Sequence, residues 1–435
     1  MGKIIFKIAM FAKRPGLLRA YRDAVRQQRW SRTMLESYQE KRLQDMILFC
    51  AKHVPYYQSL FANNNIDWRT IQRLADLAEL PTLNKSQIRA AGEDIFPTIS
   101  IPYSVGSTGG STGEPLRYRV SREDGNWGMA NLFRGWGYAG YELGEPMAVV
   151  AGASLTARSP GVKDRLSDFI LNTKHYSSYG MSDEKIESYL LDINEGKYKY
   201  LRGYATSLYE LASKALAEGQ SFPAIHAVFS TAERLTSGHR SLIEEAFGAK
   251  VFDNYGLNDG GVTAFECGEG RGMHVDYSRS ILEVVGEDDA PILNGKGRIL
   301  ATSLRNKAMP FIRYETGDLA EISDEPCPCG RPGPLLTAIQ GRETERLEIN
   351  GQTIGSPVLT VLMGRVPVRE YQIRQTGSDS LVIDLIPLET YNKHHTSFIQ
   401  ESIMTHVSGV KIVVNIVERI HRNVDSKHKF IFKDF

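Results

Sequence analysis

The pattern of apolar and polar positions divides the chain into stretches of different character. Residues 16–100 read as mainly helical and end in the turn-rich Pro81-Thr82-Leu83-Asn84-Lys85. From about 146 to 256, short apolar runs alternate with helical periodicity. Ala148-Val149-Val150 is a strand-like run, and Ser182-Asp183-Glu184 caps a helix carrying Ile186, Leu190 and Ile193 on one face. Tyr198–Arg202, Ile225–Phe229 and Val251–Phe252 follow as strands, with helices at Leu208–Glu218 and His239–Phe247 between them. Such alternation predicts an α/β layer with parallel strands, whose ligands sit at the carboxyl ends of those strands.

From 278 to 323 the runs Ile281–Val285, Arg298–Thr302, Phe311–Tyr314 and Leu319–Ile322 are short and separated by Gly, Asn and Pro, which predicts a β-rich subdomain. After about 344, strands at Tyr371–Thr376 and Leu381–Ile386 flank a Gly-Ser-Asp-Ser turn. A helix carrying Phe398, Ile399, Ile403 and Val407 and a strand Lys411–Val417 complete a compact α+β unit. The expected fold class is therefore α/β. A large domain, 1–343, has mixed α/β layers and a β-rich subdomain, and a small α+β domain spans 344–435.

Composition adds mostly exclusions. Of 435 residues, 42% are hydrophobic and 24% charged, ordinary values for a globular chain. Lys plus Arg is 52 against 51 for Asp plus Glu, so the net charge of +1 gives no support to nucleic-acid binding. An anionic ligand must then be held by a local site. No run approaches the roughly 18 apolar residues of a membrane-spanning helix. In the stretch Ile4–Ala12, Lys7 interrupts the apolar run and Lys13-Arg14-Pro15 follows where a cleavage site would be, so a signal peptide is not expected. An ordinary packed helix is expected there rather than an interfacial one, and membrane association is not expected. Four cysteines are too few for a disulfide scaffold, and Cys50 reads as a buried small hydrophobe. A cytoplasmic location is the expectation. The oligomeric state stays open, with a homodimer as one arrangement.

Val105-Gly106-Ser107-Thr108-Gly109-Gly110-Ser111-Thr112-Gly113-Glu114-Pro115 is the most informative stretch. Its glycines let backbone N–H groups turn towards one point, and Ser107, Thr108, Ser111 and Thr112 add hydroxyl donors, a combination that suits a polyanion such as a triphosphate. It is not a Walker loop, because Lys-Ser/Thr does not follow the last glycine. A second cluster is Cys267-x6-His274 followed by Cys327-x-Cys329, both in turn-rich loops. The residue types suit a tetrahedral Cys₃His zinc site, but the spacing is not the common Cys-x2-Cys, and four unrelated side chains is the competing reading.

Thr108–Pro115 resembles the Thr-Ser-Gly-Ser-Thr-Gly-x-Pro phosphate loop of adenylate-forming enzymes, the superfamily of acyl-CoA synthetases, luciferases and peptide-synthetase adenylation domains. Further motifs follow in the family's order. Asn254-Tyr255-Gly256-Leu257-Asn258-Asp259 is similar to Tyr-Gly-x-Thr-Glu, and Tyr314-Glu315-Thr316-Gly317-Asp318-Leu319 to Tyr-x-Thr-Gly-Asp-Leu. Gly341-Arg342 resembles the hinge motif that begins a mobile C-terminal domain. Pro310-Phe311-Ile312-Arg313-Tyr314, Cys327-Pro328-Cys329-Gly330-Arg331 and Gly203-Tyr204 resemble the phenylacetate–CoA ligase-like branch, which includes capsular-polysaccharide-associated proteins.

The resemblance implies a role for each matched residue. Ser107, Thr108, Gly109, Gly110, Ser111, Thr112 and Gly113 would cradle the phosphates of ATP, and Thr231-Ala232-Glu233 would form the adenine-edge segment. Tyr255, with Asn254 and Gly256, would offer a flat face for adenine. Asp318 would accept both ribose hydroxyls, since a carboxylate has acceptor capacity for two donors. Arg342 would donate to ribose or phosphate. Asp259 stands where the family has the Mg²⁺-binding Glu, one methylene shorter. Lys427 of Asp425-Ser426-Lys427-His428-Lys429 would be the adenylation lysine, with Ser426 replacing the usual glycine and Lys429 as the rival assignment. Thr344 replaces the usual hinge Asp. Zinc at Cys267, His274, Cys327 and Cys329 occurs in members of the branch and would be structural.

The implied reaction is attack of a small-molecule carboxylate on the α-phosphate of MgATP, giving acyl-AMP and pyrophosphate, followed by displacement of AMP by a thiol, coenzyme A. Mg²⁺, the loop donors and Lys427 would stabilise charge on the transferring phosphate. Two alternatives stand beside this acid–thiol ligase. One is a ligase that passes the acyl group to an amine, for example on a sugar. The other is a non-catalytic nucleotide-binding relative, suggested by Asp259, Thr344 and Ser426.

Overall fold

In the computed structural model, residues 2–107, 116–151, 168–178, 181–233, 235–340, 346–355, 359, 362–363, 366–405, 407–420 and 431–433 are described. Helices α1 (Gly2–Lys13), α2 (Leu17–Gln27), α3 (Arg32–His53) and α4 (Pro55–Asn63) open the chain. The N-terminal stretch is a packed helix: Phe6 and Met10 of α1 are buried among Leu17, Ala20 and Ala24 of α2 and the aromatic residues of a later helix. Lys3 ties α1 down through ion pairs to Glu142 at 2.7 Å and Glu145 at 3.1 Å. Ser31 starts α3 by accepting from the Met34 N–H at 3.3 Å. Helix α5 (Lys85–Ala91) and the hairpin β1 (Tyr103–Ser107)–β2 (Arg117–Ser121) lead to α6 (Arg122–Trp136).

The parallel layer comprises β3 (Met147–Ala151), β4 (Thr173–Ser177), β5 (Tyr200–Tyr204), β6 (Ala227–Thr231) and β7 (Lys250–Gly256). The helices between them are α7 (Asp183–Glu195), α8 (Ala205–Ala217) and α9 (Ser237–Phe247). Ser182 caps α7, whose buried residues are Ile186, Leu190 and Ile193. The β-rich region consists of β8 (Thr263–Glu266), β9 (Met273–Val275), β10 (Ser280–Val285), β11 (Gly295–Ser303), β12 (Tyr314–Ser323) and β13 (Leu335–Gln340). It is continuous with the parallel layer, because β7 pairs antiparallel with β8 and one sheet runs β10-β11-β12-β13-β9-β8-β7-β6-β5-β3-β4. Helices α7, α8 and α9 bury one face of the parallel strands and α6 with α1 and α2 the other.

One expected strand is absent. Phe311, Ile312 and Arg313 precede β12 and are not in a strand, because Arg313 takes φ 48°, which an extended strand cannot continue through. That turn buries the Arg313 guanidinium, which donates to the Leu80 carbonyl at 2.8 Å and the Asp289 carbonyl at 2.6 Å. The strand that follows runs ten residues and contains the whole Tyr314–Leu319 motif.

Beyond 345, β14 (Arg346–Ile349) and β15 (Gln352–Gly355) form a hairpin. β16 (Val368–Gly377), β17 (Ser380–Pro387), β18 (Lys411–Ile416) and β19 (Ile431–Lys433) form a separate sheet, covered by α10 (Lys393–Met404). Leu347, Tyr371, Ile383, Ile399, Ile403 and Val407 belong to a hydrophobic core of its own. Val407 lies past the end of α10 and Phe398 is exposed, so only part of the expected helical face is buried. Among the described residues, no helix is long and apolar enough to cross a membrane.

Candidate active site and metal centre

Strands β6, β7 and β12 bring the matched motifs together. Thr231 ends β6 opposite Asn254 of β7, and the Asn254 amide donates to the Thr231 hydroxyl at 3.1 Å. Ala232 follows in the left-handed region at φ 66°, a conformation that costs a residue with a Cβ on the order of 1 kcal/mol. Glu233 fixes that turn: its carboxylate accepts from the Thr206 N–H at 2.9 Å and the Thr206 hydroxyl at 2.6 Å. Tyr204 provides no side-chain cap for α8, so Glu233 caps that helix from another segment.

Tyr255 packs its ring between two hydrophobic clusters and donates its hydroxyl to Asp318 Oδ2 at 2.8 Å. Burial, then the Asp318 charge, raises the phenol well above its ordinary pKa, so it remains a donor. The Asp318 backbone N–H donates to Thr316, whose hydroxyl donates to the Ile299 carbonyl at 3.0 Å. Asp259 is buried and accepts from the Tyr314 hydroxyl at 2.9 Å. Gly260 and Gly261, at φ +88° and +80°, let the chain reverse after Asp259; a Cβ at Gly260 would stand 2.6 Å from that of Ala301. Two further carboxyls lie next to these motifs. Asp253 is pushed up to about 7 by burial and then by Glu266, and Glu210 to about 7 by burial and then by Glu233.

Of the residues singled out in the sequence, Ser107 ends β1 and Gly256 ends β7. Thr108, Gly109, Gly110, Ser111, Thr112, Gly113, Arg342, Thr344, Ser426, Lys427 and Lys429 lie outside the described residues. Thr206 carried no signal in the sequence, because its partner is 27 positions away. Tyr314 stood within a quoted motif, yet its bond to Asp259 spans 55 positions.

Cys267, His274, Cys327 and Cys329 converge, with their ligand atoms all within 4.8 Å of one another. Cys267 follows β8, His274 lies in β9 between Phe265 and Leu335, and Cys327 and Cys329 share a turn closed by the Gly330 N–H on the Cys327 carbonyl at 3.0 Å. The Cys267 and Cys327 sulfurs are 3.7 Å apart, too far for a disulfide but close to the S···S edge of about 3.8 Å in a tetrahedron with Zn–S of about 2.3 Å. Cys329 Sγ is 3.3 Å from His274 Nε2. Burial, with Arg331 and Arg134 nearby, lowers His274 to about 4, which keeps its imidazole neutral. Three cysteine sulfurs and one neutral imidazole make a four-ligand set.

No family model matches the chain. The phenylacetate-coenzyme A ligase of Thermus thermophilus is 27% identical over 355 residues, covering 79% of this chain and 78% of that protein. Protein CapK of Staphylococcus aureus is 24% identical over 359 residues, covering 80% and 77%. Over about four fifths of its length the chain is similar to the phenylacetate–CoA ligase-like branch of the adenylate-forming enzymes. Among solved structures, 2-hydroxyisobutyryl-CoA ligase in complex with 2-HIB-AMP and CoA in the thioesterification state superposes with a TM-score of 0.63 at 20% identity, covering 93% of this chain and 91% of that one. Its postadenylation state with R3-HIB-AMP gives 0.60 at 21% identity. The shared fold extends over both the large sheet and the C-terminal unit.

Proposed function

We propose that this protein is an ATP-dependent, AMP-forming acid–thiol ligase that converts a carboxylic acid to its acyl-adenylate, releases pyrophosphate and transfers the acyl group to coenzyme A. The observation that carries this reading is the pair of buried contacts Tyr255–Asp318 and Tyr314–Asp259, which join two separate family motifs at one end of the sheet. Tyr255 and the Thr231–Glu233 turn would flank adenine, and Asp318 would receive the ribose hydroxyls on its remaining acceptor positions. Asp259 would face Mg²⁺ of the MgATP substrate, a hard cation that prefers carboxylate and water oxygens. Residues 107–113 would donate to the phosphates, and Lys427 would pair with the reacting carboxylate and α-phosphate oxygens. Positioning and preorganised charge would supply the rate, with no covalent side-chain intermediate.

The domain assignment supports a two-step cycle: 1–343 binds nucleotide and acid, and 344–435 moves to present Lys427 or release it for thiol entry. The Cys267, His274, Cys327 and Cys329 cluster would hold one structural zinc that pins the turn before β13 to the turn after β8. The test of the whole reading is to incubate the protein with MgATP and a panel of acids, then add coenzyme A. Thioester and AMP should appear together only when the thiol is present. Acyl transfer to an amine acceptor, with no dependence on coenzyme A, would replace the second half of the reading.

A further inference from the structure

Arg202 lies in the middle of β5 with its side chain half-buried; it makes no hydrogen bond or ion pair among the described residues, and its Nε is enclosed without an acceptor. The Trp136 ring, 5.1 Å from the guanidinium carbon, offsets only part of the cost of partly desolvating an unpaired cation. Trp136 is itself incomplete: its indole Nε1 is buried without an acceptor. Both groups are donors only, so neither can satisfy the other. Two enclosed donors on neighbouring side chains, one carried by a cation and one by an indole, ask for an acceptor-rich, anionic group.

Their position shows which ligand would bring it. Arg202 pairs in register with Val149 of β3 and Phe229 of β6, and Trp136 stacks on Phe229 at 5.7 Å. One pleat further along the same face, Tyr204 stands opposite Thr231, and Thr231 opposite Asn254. Arg202 therefore lies about 7 Å below the level of Thr231 and Asn254, two residues at 3.3 Å each, on the face covered by α6. Counted down from the carboxyl end of the sheet, the proposed nucleotide residues come first, and Val149, Arg202 and Phe229 share the next level on that face, with Trp136 stacked on Phe229.

We propose that Arg202 and Trp136 form the inner wall of the acyl pocket and select a dicarboxylic acid, one carboxylate being adenylated at the level of Thr231 and Asn254 while the second is held by the guanidinium and the indole N–H. This rests on the adenylation reading above. The guanidinium fork matches a carboxylate in a two-bond geometry, and Phe229 and Val149 suit a methylene or aryl spacer. A monocarboxylic acid of equal length leaves the same donors unpaired, and that mismatch is what gives the pocket its discrimination.

The test compares glutarate, adipate and terephthalate with pentanoate, hexanoate and benzoate. Acid-dependent ATP–pyrophosphate exchange should favour at least one diacid over its matched monoacid by about 10²-fold or more in kcat/KM. Arg202→Met should remove that preference and leave the KM for ATP unchanged, and Trp136→Phe, which keeps the ring and deletes the N–H, should weaken it several-fold. Calorimetric binding of the preferred diacid without ATP should weaken at least about tenfold in Arg202→Met. Should Arg202→Met not fold, the wild-type panel and Trp136→Phe decide alone. Equal use of monoacids and diacids, unaffected by either substitution, overturns the inference and leaves the ligase reading standing. Diacid binding that depends on Arg202, with no exchange for any acid, upholds the pocket and overturns adenylation.

Discussion

Asp318 and Tyr255 hold each other, so a change at either alters both the carboxylate proposed to accept the ribose and the ring proposed to face adenine. Asp318→Ala should raise the KM for ATP by about tenfold or more, since it removes a charged acceptor and the partner that receives the Tyr255 hydroxyl. Steady-state kinetics at saturating acid checks this, and an unchanged KM would detach Asp318 from the nucleotide. Thr112→Val keeps the side-chain shape and removes one donor from the phosphate loop. A preorganised donor aimed at developing charge is worth about 10²-fold in rate, so adenylation should fall by that factor in a pyrophosphate-release assay. At this scale the sequence was readable where chemistry is packed into a few consecutive residues, as in Tyr314–Asp318. Long-range partners were not readable: Thr206 meets Glu233, and Arg202 meets Trp136, only because the sheet and α6 bring them together.

Elements inherit their rigidity from a few buried polar links. Arg279, just before β10, is clamped by Asp124 of α6 through bonds of 3.0 and 2.7 Å, with both side chains almost fully enclosed. Asp124→Ala would leave a buried guanidinium unpaired and should lower the unfolding free energy by about 3–5 kcal/mol in a urea titration. Glu145 joins α1 to the body through Lys3 and Lys199. Burial alone would raise its pKa, but the Glu142 N–H and the two lysines outweigh burial and bring it down to about 2. A depressed carboxyl contributes stability that is present above its unfolded value near 4.5 and lost as pH falls towards 2. Glu145→Gln should therefore flatten the loss of stability across that window, as measured by chemical denaturation at stepped pH. The metal cluster gives a third expectation: protein purified without chelator should contain about one zinc per chain, and Cys327→Ser should lose it with a lower melting temperature. A fully folded protein without metal would remove the zinc. Strand and helix order was legible from apolar periodicity, as Ile186, Leu190 and Ile193 illustrate. The strand expected at Phe311–Tyr314 looked apolar enough, and only the positive φ at Arg313, set by its buried guanidinium, keeps Phe311–Arg313 out of a strand.

For the molecule as a whole, the hydrophobic core of the C-terminal unit is built from residues 347–410 and is distinct from those of the large sheet. The proposed two-step cycle requires such a separation, because a unit with its own core would turn without unpacking the other. Lys427→Ala should cut acyl-adenylate formation by several orders of magnitude and leave thiol transfer from a supplied acyl-adenylate intact, a contrast read by rapid-quench analysis of each half-reaction. The same loss in Lys429→Ala but not Lys427→Ala would move the role by two positions. The motif order made the reaction class legible from the sequence. The acyl group was not legible, because the pocket proposed for it draws on β3, β5, β6 and α6, which lie far apart in the chain. Formation of an acyl-adenylate is the step on which the proposed activity turns, and acid-dependent exchange of labelled pyrophosphate into ATP measures that step alone. Exchange should require MgATP and an acid, with no need for coenzyme A. Cleavage of ATP to ADP and phosphate, or an absence of exchange with every acid while ATP still binds, would contradict it.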